Sequence, residues 1–360
     1  MIRKINRVIQ DFLRPIRLEI GKKMWDKKES KNLEFIHGDR VDMRKVKSIL
    51  FLRYDGKIGD MVINTLLFRE VKRNYPDIKI GVVARGAAKD IIKFNSYVDE
   101  IYDYEKGAES VLGERIRKEK YDVVVDFSEM LRVNQMKLIN LCGGKVNIGL
   151  DKESWKLFDL SYKKSYEKHI TDMYKNILRL LNIENPDCKY EIYSDDVVKN
   201  RVTDIVQKIA GDIVILNPYA ASKHRSFNRE KILEISRKIL KNESNALVFI
   251  GEPSKKAEIL GIMDELKSSR VFYPELKGIL DVAEIISYAK YIVTPDTSIV
   301  HIGVSKNIPM SAVYRLDTGD NNSVVWGPNS KLVKQIFSED VAKTGEEADI
   351  NKFDVKELGL

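Results

Sequence analysis

Four short segments of the sequence place charged or hydroxyl side chains directly after an apolar stretch. The first is 55-DGKIGD-60, in which Gly56 and Gly59 permit a tight turn and Asp60 begins a helical pattern. A carboxylate in this place could act as a general base on a hydroxyl group, or could cap the N-terminus of the helix. The segment matches neither GxGxxG nor a Walker A loop, because no GK[ST] is present.

A basic segment, 219-YAASKHRSFN-228, follows the apolar stretch DIVILNP. Small residues, Ser222 among them, precede Lys223, His224 and Arg225. Lysine and arginine can neutralise the charge of a leaving group, so this segment would suit a diphosphate. The alternative is a solvated basic loop without a ligand.

The third segment, 294-TPDTSIVH-301, lies between a predicted buried strand and a predicted helix. Thr297 and Ser298 would place free backbone N–H groups at the helix start, an arrangement that favours phosphate. Asp296 could cap that helix or bind the hydroxyl groups of a sugar or ribose. His301, one turn into the helix, would face either a ligand or the core, and an isolated histidine favours the core.

The fourth segment, 251-GEPSKKAE-258, contains Glu252 directly after a predicted strand. This carboxylate could accept hydrogen bonds from a ribose or sugar, or could be an ordinary acid at a helix start. Each segment alone is weak evidence for a site. Their shared position after strands is stronger evidence, because parallel strands bring such segments to one edge of a sheet.

The elements that position these segments alternate between strand and helix. Alternation with short links predicts parallel sheets with right-handed crossovers, so we expect an α/β fold of two Rossmann-like halves that face each other across a cleft. The predicted strands are 48–54, 78–84, 100–104, 121–127 and 145–150, then 212–218, 245–251, 270–273, 291–295 and 309–315. The predicted helices are 61–75, 87–94, 108–119, 131–142 and 168–182, then 229–241, 254–267, 281–289 and 298–305.

The length of 360 residues suits two domains. No run of about 18 apolar residues is present, and the charged N-terminus is not a secretory signal. Cys142 and Cys188 cannot build a disulfide scaffold, and the four histidines show no metal-binding spacing, so we expect a reduced, cytoplasmic protein without a metal. The expected organisation is an N-terminal extension (1–45), a first domain (46–165), a crossover (166–190), a second domain (191–345) and a C-terminal tail (346–360).

The net charge of +8 is concentrated at the N-terminus, where residues 1–28 hold nine Lys or Arg and three acids. This distribution argues against a nucleic-acid-binding protein, which would more often spread its basic patch over the folded domain. Apolar residues recur there at helical spacing between basic ones, which is typical of a helix on an anionic membrane surface. A helix packed on the body or a frayed tail are the alternatives, and Pro15 predicts a kink. The apolar positions are Ile2, Ile5, Ile9, Phe12, Leu13, Ile16 and Ile20.

Taken in order, these motifs resemble the heptosyltransferase family, glycosyltransferase family 9 of lipopolysaccharide synthesis. The resemblance spans roughly residues 47–340. In the first half it rests on the strand–xxGD–helix start at 58–60 and on NYPDIKIGVVAR with the later VDEI. In the second half it rests on LNPYAASKHRSF, the glycine before Glu252, PDTSIVHIG and the Trp326–Gly327–Pro328 element.

The resemblance implies a GT-B fold, with the acceptor in the first domain and the nucleotide-sugar donor in the second. Members of the family transfer heptose from ADP-heptose to a lipid-linked core sugar, with inversion and without a required metal or other cofactor. By position, Asp60 would deprotonate the acceptor hydroxyl and Lys223 would hold the donor diphosphate. Asp296 would contact the donor sugar, Thr297 and Ser298 would bind phosphate through backbone amides, and His301 matches the family histidine on that helix.

Two departures from the family pattern lie on the donor side. Many relatives have Lys-x-Trp-Pro where this chain has 223-KHRS-226, and Ser298 replaces a more common glycine. A GT-B enzyme that uses another nucleotide sugar in surface polysaccharide synthesis is therefore the alternative. A non-catalytic binding protein is disfavoured, because the chain retains both Asp60 and Lys223. No DxD-type acid pair lies in a suitable loop, since Asp317 and Asp320 are far from the strand ends.

Overall fold

The computed structural model describes residues 2–28, 31–316, 321–340 and 348–360, except for the side chains of residues 2–12. The chain forms two six-stranded parallel sheets flanked by helices, and a two-stranded antiparallel ribbon before the first sheet. The strands are β1 (Ile36–His37), β2 (Arg40–Val41), β3 (Ser48–Arg53), β4 (Lys79–Ala84), β5 (Glu100–Asp103), β6 (Val123–Asp126), β7 (Val146–Leu150), β8 (Leu160–Tyr162), β9 (Asp212–Leu216), β10 (Asn245–Phe249), β11 (Val271–Phe272), β12 (Tyr291–Pro295), β13 (Met310–Tyr314) and β14 (Val333–Phe337). The helices are α1 (Ile2–Trp25), α2 (Ile58–Asn74), α3 (Ala87–Ile91), α4 (Glu109–Glu119), α5 (Val133–Cys142), α6 (Ile170–Leu180), α7 (Asp196–Val206), α8 (Arg229–Leu240), α9 (Lys256–Leu266), α10 (Ile279–Ile286), α11 (Ser298–Ser305) and α12 (Asn322–Val325).

The two sheets share one strand order. It is β5-β4-β3-β6-β7-β8 in the first sheet and β11-β10-β9-β12-β13-β14 in the second. In each sheet the order reverses beside the strand that comes first along the chain, and a crevice for ligands opens there at the carboxyl ends of the strands. The predicted α/β fold of two Rossmann-like halves is confirmed.

The central strand of the first sheet, β3, is buried along its whole length, which explains why its continuous apolar run predicts a strand. Every residue of β3 is buried, because helices cover both faces and no side needs to be polar. The turn after β3 leads into α2, whose residues 60–71 are all buried. This helix packs against α3 and α6 and also against α11 of the second half. Five of these twelve buried residues are polar or charged and therefore need partners: Asp60, Asn64, Thr65, Arg69 and Glu70.

Six elements were not predicted, and two of them are the two-residue strands β1 and β2 of the antiparallel ribbon. The first sheet does not end at residue 150, because β8 adds a short edge strand, and β14 adds an edge to the second sheet. These edges lack a continuous apolar run, since β14 reads Val-Lys-Gln-Ile-Phe and buries only Ile336 fully. In α7 only Val198 and Val202 are buried, so its helical periodicity is weak. The remaining element, α12, has only four residues.

The N-terminal helix α1 continues through Pro15 and packs on the first half, as one of the alternatives predicted. Leu18 and Trp25 lie against the apolar cluster of the first sheet. Gly21 permits this approach, because a Cβ atom there would lie 2.6 Å from Cγ2 of Val133. In the described part of the chain, no helix is both long enough and apolar enough to cross a membrane.

Residues 348–360 pack onto the second half through four apolar side chains in its core. They are Ile350, Phe353, Val355 and Leu358.

Candidate active site

Asp60 lies in the first turn of α2, directly beyond the carboxyl end of the central strand β3. Lys57 occupies the N-cap position and Asp60 is the third helical residue, so the structure does not support the alternative in which Asp60 caps the helix. The Asp60 side chain is only 11% exposed. A buried carboxylate requires charged or hydrogen-bonding partners, and the neighbouring residues supply them.

Arg53, the last residue of β3, is the principal partner of Asp60. Its Nη1 lies 3.1 Å from Oδ2 of Asp60 and 3.1 Å from Oδ2 of Asp55. Lys57 brings a second positive charge, with Nζ 3.9 Å from Oδ2 of Asp60. Burial raises the pKa of the Asp60 carboxyl to about 6, against the opposing charges of Arg53 and Lys57. A carboxylate that titrates near neutrality is suited to general base catalysis.

The start of α11 meets the start of α2 across the boundary between the two halves. A Cβ atom on Gly59 would lie 2.8 Å from Cδ2 of His301 and 3.5 Å from Cα of Ser298. Gly59 therefore allows the two helices to touch one residue before Asp60. Ser298 is the first residue of α11, so the contact brings Asp60 close to the positive end of this helix.

Thr297, not Asp296, caps α11. Its hydroxyl oxygen accepts a hydrogen bond from the backbone N–H of Ile299 at 3.3 Å. Asn217, after β9, donates to the same oxygen at 3.2 Å, which ties the cap to the central strand of the second sheet. Asp296 is thereby left for other contacts.

His301 is buried between α11 and α2. Its ring stands 6.3 Å from that of Tyr190, and Nδ1 has no hydrogen-bond partner among the described residues. Burial lowers the pKa of His301 to about 3, so the ring is neutral at physiological pH. The structure therefore supports the alternative in which this histidine belongs to the core between the halves.

The residues Lys223–Arg225 form a 3₁₀ turn after β9, which we call the basic turn. The Ser226 hydroxyl donates to the carbonyl of Ser222 at 2.9 Å and accepts from the amide of Ala220 at 2.9 Å, which holds the turn in place. Within the described residues, Lys223 is exposed and has no ion-pair partner. The Ser222 hydroxyl is buried, and the described residues supply no partner for it.

Arg225 points from the basic turn towards Asp296. Its Nη2 lies 2.5 Å from the carbonyl oxygen of Asp296 and 2.6 Å from its Oδ2. Asn322 approaches the same Oδ2 at 3.4 Å. The predicted ligands Arg225 and Asp296 are thus brought together as a pair, at the carboxyl ends of β9 and β12. Glu252 lies exposed on the loop after β10, at the start of a 3₁₀ turn, and is not part of this pair.

Several residues at this site were missed by the sequence analysis. The sequence contains a signal for Arg53, because a charged residue at the end of an apolar, buried strand indicates a functional position. Tyr174 comes from the segment interpreted as a crossover, and Lys164, which lies two residues before that segment, forms an ion pair with Glu129. Trp326 lies with its ring 5.6 Å from Nζ of Lys57, which is a contact between distant parts of the chain.

No group of three or more His, Cys, Asp or Glu side chains is placed to hold a metal ion in the described ranges. Asp317 and Asp320 lie outside those ranges.

Comparison with known proteins gives a family and a fold. A family model for glycosyltransferase family 9 (heptosyltransferase) matches residues 110–353. Lipopolysaccharide heptosyltransferase 3 of Escherichia coli strain K12 is 22% identical over 327 residues, which cover 82% of this chain and 90% of that protein.

Two solved structures show the same arrangement of both halves. A glycosyl transferase family 9 protein from Veillonella parvula aligns with a TM-score of 0.73 and 14% identity, over 89% of this chain and 96% of that chain. The Escherichia coli heptosyltransferase WaaC with ADP aligns with a TM-score of 0.67 and 14% identity, over 86% and 97%. The fold is therefore the GT-B fold, as the resemblance implied.

Proposed function

The chain belongs to glycosyltransferase family 9, the heptosyltransferase family, and is a glycosyltransferase; we propose that it moves a heptose from ADP-heptose to a lipopolysaccharide core acceptor with inversion. One observation carries the proposal. A buried carboxylate with a pKa of about 6 lies one residue from the contact between α2 and the N-terminus of α11. A base and an anion-binding helix end are the two groups that this reaction needs side by side.

In the proposed reaction, Asp60 accepts the proton of the acceptor hydroxyl as that oxygen bonds to the anomeric carbon of the donor. The bond between this carbon and the diphosphate oxygen breaks, and its electron pair leaves with ADP. Attack from the face opposite the diphosphate inverts the configuration. The transition state resembles an oxocarbenium ion, as in glycoside hydrolysis, with the acceptor in place of water.

The charge of the departing diphosphate is met by this chain's own groups. The amides at the start of α11 and the ammonium group of Lys223 lie at the carboxyl ends of β12 and β9, on the donor side. We propose Ser222, after β9, and Glu252, after β10, as further donor ligands, while the Arg225–Asp296 pair would shape the side that receives the sugar. We therefore propose a reaction without a divalent cation, and turnover in excess EDTA tests this point.

The choice of ADP rests on similar proteins, which include solved structures of WaaC with ADP and with ADP-2-deoxy-2-fluoro heptose. The test is calorimetric titration of the purified protein with ADP, UDP and GDP in the absence of added metal. Preference for ADP is expected. Preference for UDP or GDP would replace the donor and favour transfer of another sugar in surface polysaccharide synthesis. With the donor known, NMR of the product linkage reports whether the anomeric configuration inverts.

We also propose that the protein works at the inner face of the cytoplasmic membrane, where a lipid-linked oligosaccharide acceptor lies, and that α1 contacts this surface. Leu18, Gly21 and Trp25 pack on the body, while Ile16, Ile20 and Met24 are 50%, 54% and 51% exposed. The exposed three recur every four residues and so form one stripe directed away from the body.

Basic residues surround this stripe. Lys23 is exposed on α1, Arg14 and Arg17 are exposed earlier in the helix, and Lys27 is exposed directly after its end. Apolar side chains among lysines and arginines complement the anionic headgroups and the acyl boundary of a bilayer leaflet.

A further inference from the structure

Arg53 is an unusually constrained charged residue in this fold. It ends a strand whose other five residues are also buried, and it is itself only 4% exposed. Each of the three guanidinium nitrogens has its own partners. Nε donates to Oδ1 of Asn64 at 2.6 Å, and Nη2 donates to the hydroxyl of Tyr174 at 2.9 Å. Nη1 is thereby aimed at the two carboxylates of Asp55 and Asp60.

The ring of Phe127 completes the arrangement from the side of β6. The Cζ atom of Arg53 lies 4.3 Å from its centroid, which stacks the planar group against an aromatic face. The guanidinium is thus fixed by residues of α2, of α6 and of the segment after β6. Lysine would not reproduce these contacts, because its three N–H donors share one nitrogen, whereas the partners of Arg53 lie around three separate nitrogens of a planar group.

The contacts of Asp60 are unequal between its two oxygens. Among the described residues, both cations that approach this carboxylate, Arg53 and Lys57, do so at Oδ2. Oδ1 is the oxygen that remains for the acceptor hydroxyl. We propose that Arg53 is the positioning residue of the reaction, which anchors Asp60 through Oδ2, keeps it ionised and turns Oδ1 to the acceptor. This inference rests on the proposed role of Asp60 as the base.

The charges around Asp60 determine how strongly the removal of Arg53 would change the pKa of Asp60. Arg53, Lys57 and Lys164 favour the ionised carboxylate, whereas burial and the nearby Asp55 favour the protonated form. Tyr174 and Tyr162 also interact with Arg53, and burial raises the pKa of both hydroxyl groups, so both are neutral phenols at physiological pH. Of the three cations, Arg53 opposes protonation of Asp60 most strongly.

Three variants separate the charge of Arg53 from its geometry. Arg53→Met removes the charge, so the pKa of Asp60 rises, and the acid limb of the kcat/KM profile should move up by about 1–3 pH units. Arg53→Lys keeps the charge, so this limb should stay near its original pH while kcat falls by about 10²-fold through lost alignment. Tyr174→Phe removes one tether only, and a smaller loss of kcat with an unmoved limb is expected.

Arg69 provides a matched control. It is 1% exposed, contacts the carboxylates of Glu70 and Glu191, and also donates to two backbone carbonyls, but it lies at the far end of α2. Arg69→Met should lower the thermal midpoint without moving the acid limb. Nucleotide binding by the second half, measured for each variant, verifies that the protein is folded.

The outcomes distinguish the two proposals. If Asp60→Asn retains turnover, the assignment of the base is wrong. If Asp60→Asn is inactive but Arg53→Met leaves the acid limb in place, or Arg53→Lys is fully active, the positioning role of Arg53 is wrong while the base assignment stands. If Arg53→Met does not fold, the Arg53→Lys and Tyr174→Phe variants still decide the question through kcat.

Discussion

Gly59 and His301 lie in van der Waals contact across the two halves of the molecule, and no side chain fits between them. A Cβ atom on Gly59 would come within 2.8 Å of Cδ2 of His301, whose ring is itself buried. The backbone of Gly59 is helical, so glycine is needed here for space and not for a left-handed conformation. The contact sets the distance between Asp60 and the first residue of α11.

We predict that Gly59→Ala separates the two helix starts. Alanine favours a helix over glycine by up to about 1 kcal/mol, but the collision with a buried ring outweighs this gain. A shift of about 1 Å between base and donor should lower kcat/KM by about 10²-fold, as steady-state kinetics would measure.

Gly261→Ala is the control for helix propensity. Gly261 lies in α9, and a Cβ there would meet only Nη1 of Arg229 at 3.8 Å. This variant should keep full activity and gain slightly in thermal stability. Equal activity of the two alanine variants would contradict the role given to the contact.

The second prediction concerns Asp60 and pH. Since the folded pKa is about 6, the carboxylate is ionised above this value, and kcat/KM should rise through pH 6 and level off above it. Asp60→Asn should bind ADP as the parent does but lose about 10²–10⁴-fold in turnover, the usual contribution of a general base.

Asp55→Asn is the matched variant for this experiment. Asp55 shares Nη1 of Arg53 with Asp60 and raises the pKa of Asp60 by its negative charge. Removing that charge should move the acid limb to lower pH and leave turnover at the plateau. Loss of plateau turnover in Asp55→Asn, with activity kept in Asp60→Asn, would exchange the roles of the two carboxylates.

The third prediction concerns the basic turn. Lys223 is exposed and Arg225 is engaged by Asp296, so Lys223 is the cation of the turn that is available to a diphosphate. Lys223→Gln should weaken ADP binding by about 10–100-fold, the range for one charge-assisted hydrogen bond, without a change in the thermal midpoint.

Lys255→Gln is the comparison for Lys223. Lys255 also lies in a 3₁₀ turn after a strand of the second sheet, but it is paired with Glu258 at 2.9 Å. Its replacement should leave ADP affinity unaltered. Similar losses in both variants would indicate a diffuse electrostatic effect and not a ligand at Lys223.

The parts of this fold that the sequence predicted are those with a local signal. The continuous apolar run of β3, the turn with two glycines and the start of α2 lie within 13 residues of each other, from Ser48 to Asp60. The edge strand β14 carries no such run, because two of its five residues are exposed and only Ile336 is fully buried. The contacts Gly59–His301 and Lys57–Trp326 join residues more than 200 positions apart, and no spacing within either segment encodes them.

Capping residues were also hard to assign from spacing alone. The sequence offers Asp296 and Thr297 in succession at the start of α11, and both are good N-caps. The structure selects Thr297, because Asn217, which follows β9, donates a hydrogen bond to the Thr297 hydroxyl and holds it in place. For the same reason spacing alone is compatible with Asp60 as a cap, although the helix begins two residues earlier, at Ile58.

The last prediction concerns the exposed stripe of α1. Complete removal of residues 1–28 is a poor test, because it would also remove the packing of Leu18 and Trp25 and the ion pair of Lys28 with Asp159. Replacing Ile16, Ile20 and Met24 together by serine leaves the packed face intact. Each apolar side chain that enters the bilayer boundary contributes about 1–2 kcal/mol, so the triple variant should bind vesicles at least about 10-fold more weakly.

Sedimentation with vesicles of phosphatidylcholine and phosphatidylglycerol measures this binding, and turnover of a soluble acceptor analogue should be unaltered. The control replaces three exposed apolar residues elsewhere, Val111, Val197 and Leu260, by serine. Binding of the parent should fall as salt is added or as the anionic lipid is withdrawn, because the lysines and arginines around the stripe act through charge. Equal vesicle binding by both triple variants would show that α1 is not the membrane contact, and would leave the packed face as the whole role of this helix.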